Sequence, residues 1–88
     1  MQDFEIQPYI YNLIYDYDTF IDAMNGTDDK KKHFIKHTSK VVVELVMALP
    51  NLNFEDSEQV EDILSSYIKM QQEVYSSSSI SWNDKVNM

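Results

Sequence analysis

Cysteine and arginine are both absent from this sequence. Without cysteine there are no disulfides and no thiolate chemistry, which fits the cytoplasm. Without arginine the chain lacks the side chain that most often grips phosphates and reads base edges, and this speaks against direct nucleic-acid binding. The single glycine, Gly26, leaves no glycine-rich loop to cradle a phosphate and no Gly-x-Ser-x-Gly nucleophile elbow. No apolar run approaches the ~20 residues that cross a bilayer, because Glu44 interrupts the longest one. The start, MQDFEIQPYIY, has acids where a secretory signal has lysines, and it lacks a small-residue cleavage site.

What is present is an acidic chain of 88 residues, 43% hydrophobic, with fifteen acids against seven lysines. That is the size of one domain and too apolar for a disordered chain. The charge is uneven. Residues 1–29 hold seven acids and no base, 30–49 five lysines and one acid, and 50–75 six acids and one lysine. Two acidic segments thus flank a basic one, which favours their association. Ile, Asn, Lys and Tyr outnumber Gly, Ala, Arg and Pro by twenty-seven to five. Such AT-rich codon usage suits a low-GC bacterium or one of its phages, and several eukaryotes as well.

The most apolar stretch is FIKHTSKVVVELVMAL, Phe34 to Leu49. Its three consecutive valines favour a strand. Its length, its 3-4-3-4 spacing (Phe34, Thr38, Val41, Val42, Leu45, Ala48, Leu49) and its punctuation favour a helix. Thr27 is placed to cap, Asp28 and Asp29 suit the positive end of the helix dipole, and Pro50 marks a stop. Val43 and Met47 fall on the opposite side among lysines, either as a second packed face or as a dimer or partner contact. Before it, Pro8 opens a helix with an inward face of Ile10, Leu13, Ile14, Tyr17, Phe20, Ile21 and Met24, ended by Asn25-Gly26. After it, Leu52 and Phe54 plug the end of the core, and a third helix buries Val60, Ile63, Leu64, Tyr67, Ile68, Val74 and Tyr75. The expected fold is all-α: a small antiparallel three-helix bundle, one domain over 1–75 with helices at about 8–24, 28–49 and 55–75. A serine-rich tail from 76 to 88 follows, in which order fails along the run Ser76 to Ser79 and Trp82 either folds back or meets a partner.

Candidate chemistry is sparse. Asp16 to Asp22 resembles a calcium loop faintly but has Phe20 at the third ligand position and no glycine after it. His33 and His37, with Asp29 one turn earlier, form a stripe that lysines surround, so no metal is expected. No cofactor and no enzymatic activity are expected either. The outer face of the first helix is more informative. Tyr11, Tyr15, Asp18 and Asp22 make one stripe directed away from the expected core. Two exposed tyrosines beside a like-charge pair are not what stability alone selects, and tyrosine is enriched at binding hot spots. The alternative is that the Trp82 tail covers them.

Leu13-Ile14-Tyr15-Asp16, then Val43-Glu44-Leu45, then Leu52-Asn53-Phe54, resemble the helical order of bacterial flagellin export chaperones. The linking segment is shorter than in that family and its final helical part has no counterpart, so no residue role is carried over. The resemblance implies an adaptor for a helical client. The residues themselves suggest a non-enzymatic protein-binding inhibitor that docks on a larger, basic protein, such as a nucleic-acid-handling or toxin protein, and blocks or modulates it. Tyr11, Tyr15, Asp18, Asp22, Val43 and Met47 are the expected contacts, and a homodimer is also open.

Overall fold

The computed structural model describes residues 5–78 of the protein. They form three antiparallel α-helices: α1 (Gln7–Met24), α2 (Asp28–Ala48) and α3 (Phe54–Ser77). A 3-10 turn at Leu49–Asn51 carries Pro50 and joins α2 to α3. There is no strand among the described residues.

Local chemistry fixes the ends. The Thr27 hydroxyl accepts a hydrogen bond from the Lys30 amide (3.3 Å), and the Asn53 side chain accepts one from the Asp56 amide (2.8 Å). Each satisfies an amide that the first helical turn leaves without a carbonyl partner. The acids Asp28 and Asp29, and Glu55 and Asp56, sit in those first turns, where the helix dipole favours negative charge. The close of α1 departs from the αL ending expected of Asn25-Gly26. Among the described residues none has a positive φ, and the Asn25 side-chain amide instead donates to the Ile21 carbonyl at 3.0 Å. Gly26 serves close approach: a Cβ there would lie 3.0 Å from the Asp22 carbonyl oxygen and 2.8 Å from Lys30 Cδ.

The buried apolar core is Ala23 from α1, Phe34 and Leu45 from α2, and Val60, Ile63, Leu64, Tyr67, Met70 and Val74 from α3. The three valines of α2 are helical because packing outweighs their strand preference. α2 is less central than its hydrophobicity suggests. α3 supplies six buried residues and packs against both other helices, while Val43, Val46 and Met47 of α2 remain at the surface. Phe54 does not plug the core: it is exposed at the first turn of α3, and only Leu52 packs inward. Ile68, expected inside, is also at the surface.

α3 runs two residues into the serine run, to Ser77. Ser77 Oγ donates back to the Val74 carbonyl (2.9 Å), and Lys31 Nζ, on a buried side chain of α2, donates to the Ser77 carbonyl (3.1 Å). A cation on the last carbonyls offsets the poor helix propensity of serine. Residues 79–88, including Trp82, lie outside the described residues. One further correction concerns α1. Ile14, Tyr17 and Ile21, expected inside, are 45–62% exposed, and the helix turns a different face inward.

Candidate docking surface on the first helix

The orientation of α1 follows from one side chain. Asp16 is a carboxylate only 2% exposed, and a buried charge persists only when it is paired and hydrogen-bonded. Both other helices supply partners. Tyr67 Oη of α3 donates to Asp16 Oδ2 at 2.6 Å, and His37 Nε2 of α2 lies 3.1 Å from Oδ1. Around Asp16 the inward face reads Tyr9, Leu13, Asp16, Phe20 and Ala23, a 4-3-4-3 spacing as regular as the all-apolar one it displaces. Burial pushes the Tyr67 hydroxyl well above its ordinary range, and the hydrogen bond to Asp16 and its negative charge add to this. Farther along α1, Tyr9 Oη donates to Glu44 at 3.0 Å, and burial followed by that carboxylate raises its pKa as well.

Turning Asp16 inward turns apolar residues outward. Ile14, Tyr17 and Ile21 share one side of α1, toward α3, and Tyr11 and Tyr15 (69% and 71% exposed) share the other, toward α2. A contiguous exposed patch of this kind, rather than scattered single residues, is the usual mark of an interaction site. On the α3 side the patch deepens into an open groove of about 550 Å³. It is lined by the apolar Leu13, Ile14, Tyr17, Phe20 and Met70 and by the polar Asp18, Ser66, Lys69 and Glu73.

No family model, curated protein or solved structure matches the chain.

The residues singled out from the sequence fall in two places. Tyr11, Tyr15, Asp18 and Asp22 are exposed along α1, and Asp22 makes a solvent-exposed ion pair with Lys30 (3.3 Å). Val43 and Met47 are exposed along α2. They are not one cluster: Asp18 lines the α1–α3 groove, and of the six Asp22 lines the α1–α2 seam. That seam opens as a shallow groove lined by Thr19, Asp22, Asp29, Lys30 and His33. His33 and His37 do not act together: His37 is committed to Asp16, and His33 lies in this seam beside Lys30. Among the described residues, no three His, Cys, Asp or Glu side chains are grouped to hold a metal ion.

Sequence reasoning missed three polar devices that set the surface. One is the Asp16–Tyr67–His37 cluster. Its available signal was an aspartate in phase with Tyr9, Leu13, Phe20 and Ala23. Another is Gln71, whose amide donates to Thr38 Oγ1 (2.9 Å), Ser39 Oγ (3.0 Å) and the Ile35 carbonyl (3.3 Å), tying α3 to α2. The third is buried Lys31, which no local pattern distinguishes from its lysine neighbours. No described helix is long and apolar enough to cross a membrane.

Proposed function

We propose that the protein is a non-enzymatic binder that seats an amphipathic, basic helix of a larger protein in the groove between α1 and α3, and so blocks or modulates that protein. The observation that carries this reading is the outward placement of Ile14, Tyr17 and Ile21, the first two lining a largely apolar groove. Two neighbouring helices, here parallel because each is antiparallel to α2, with an apolar furrow between them form a seat into which an amphipathic helix lays its i, i+3, i+4, i+7 anchors. The charge supports a basic occupant. α1 carries no lysine, and α3 carries six acids against the single Lys69. Such a field speeds encounter with a basic partner and disfavours acidic ones.

A second reading rests on the same groove: an adaptor that covers a helix of its client before assembly. The two differ in what the groove holds. A nucleic-acid-handling or toxin protein favours the inhibitor, and a secretion or structural subunit favours the adaptor. The test is a photo-crosslinking residue at position 17 in the source cell. The captured protein is identified by mass spectrometry, purified, and its binding measured against the parent chain and Tyr17→Ser. Binding weakened at least tenfold by Tyr17→Ser, chiefly through faster dissociation, supports the reading. Unchanged affinity, or no specific adduct at position 17, overturns it.

A further inference from the structure

The chain leaves α3 at the mouth of the α1–α3 groove. Ser78 ends the helix with extended backbone (φ −88°, ψ 165°). Ser77 Oγ lies 3.6 Å from Met24 Sδ, on the α1 side of α3. A shallow recess lined by Met24, Gln72, Glu73, Ser76 and Ser77 opens there. It meets the larger groove at Glu73, which lines both. Asp16 with Tyr67 and Met24 with Ser77 hold α1 and α3 parallel and in register, which sets Tyr17 about level with Lys69. Past Ser78 the sequence continues as SISWNDKVNM. Its first two apolar side chains, Ile80 and Trp82, are two residues apart, so an extended chain presents them on the same side.

We infer that the segment after Ser78 turns back along α3 and seats Trp82 in the α1–α3 groove. The lengths agree. An extended chain rises ~3.3 Å per residue, so Trp82, four residues beyond Ser78, reaches about 13 Å back. At ~1.5 Å per helical residue that is about nine residues along α3, the level of Lys69 and Tyr17. Tyr17, Phe20 and Met70 give the groove its apolar wall there, and Lys69 brings the only lysine of α3 to the face of the indole. Ile80 comes level with Glu73, where the recess joins the groove. Seating the indole buries ~150–250 Å². The recess on the α2 side of α3, lined by Ile35, Ile68, Gln71 and Gln72, is smaller, at about 240 Å³. Charge does not oppose the docking, because the segment carries one acid, Asp84, and one base, Lys85. A short tether holds it at an effective concentration of millimolar order, so two apolar anchors suffice. The inference deepens the reading of this groove as a helix seat. The segment is the resident occupant, and a basic helix displaces it. The partner's apparent affinity is then reduced by the fraction of chains whose groove is open.

Trp82 is the only tryptophan, so its fluorescence, excited where tyrosine does not absorb, reads this segment alone in the full chain. The measurement needs no partner, so its failure leaves the proposed function standing, and failure to capture a partner leaves a protected Trp82 in place. The parent is expected to emit to the blue of N-acetyltryptophanamide and to be quenched less by acrylamide, both independently of protein concentration. Tyr17→Ser removes one wall of the groove and is expected to shift the emission to the red and raise the quenching toward that of the free amide. Val43→Ser and Ile68→Ser, at exposed positions on other faces, are expected to leave both unchanged. Circular dichroism and melting curves check that all three variants keep the fold. A parent Trp82 as accessible as the free amide overturns the inference. So does a Tyr17→Ser variant with unchanged emission, or a shift produced by Ile68→Ser instead, which places the segment against the α2 side of α3. Protection that grows with protein concentration also overturns it, because the occupant is then the segment of a second copy.

Discussion

Replacing Tyr67 by Phe removes one oxygen atom from the middle of the bundle. That oxygen donates at 2.6 Å to a carboxylate that is almost wholly buried, leaving Asp16 with His37 as its remaining side-chain partner from another helix. A hydrogen bond to a charged group contributes ~1.5–3 kcal/mol, and a buried acceptor left short of a donor lies toward the upper end. A loss of about 2 kcal/mol lowers the melting temperature of a domain this size by ~8–16 °C. The pH dependence gives a sharper signature. Burial, then the hydrogen bond to Asp16 and its charge, hold the Tyr67 hydroxyl above its ordinary 10.0. The native state therefore keeps this proton at pH values where the unfolded chain has lost it. The contribution is complete below about pH 10 and declines above it at ~1.4 kcal/mol per pH unit. The Phe variant has no such proton. Urea unfolding of both proteins between pH 8 and pH 11 should show a gap of about 2 kcal/mol that narrows above pH 10. A gap that stays constant to pH 11, or a variant as stable as the parent at pH 8, refutes the reasoning.

Other perturbations separate core, cap and surface. Leu45→Ala, at a fully buried position of α2, should destabilise by ~2–5 kcal/mol in urea unfolding. Lys31→Gln should lower stability by ~1 kcal/mol through the last turn of α3, seen as faster amide exchange at residues 75–77 than in the parent. Asp22→Asn breaks only an exposed ion pair and should move stability by less than ~0.5 kcal/mol.

Much of the bundle is legible in the sequence because its signals are local. Thr27 and Pro50 bracket α2, Pro8 opens α1, and the 3-4 spacing of Phe34, Thr38 and Leu45 points to the buried face of α2. Rotation of α1 is a different problem. Ile10, Leu13, Ile14, Tyr17 and Ile21 make one helical stripe, and Tyr9, Leu13, Asp16, Phe20 and Ala23 make another. Hydrophobicity alone chooses the first. The second wins because Tyr67 and His37, distant in sequence, converge on Asp16, and no window along α1 contains them. Lys31 is hidden for the same reason, since its partner is a carbonyl at the far end of α3. The outward stripe of Tyr11, Tyr15, Asp18 and Asp22 was legible, because both inward faces leave those residues outside. The groove beside Ile14 and Tyr17 was not, because it exists only once Asp16 is buried.

The orientation of α1 is therefore the central claim, and the melting temperature of the Ile14→Asp, Ile21→Asp double variant tests it most directly. If both side chains point to solvent, two added carboxylates leave the bundle within ~1 kcal/mol of the parent, as surface substitutions do, and the melting curve shifts by only a few degrees. If instead they belong to the core, burying two unpaired carboxylates unfolds the protein. A variant that is helical and melts close to the parent agrees with the structure. One that is unfolded at 25 °C contradicts it.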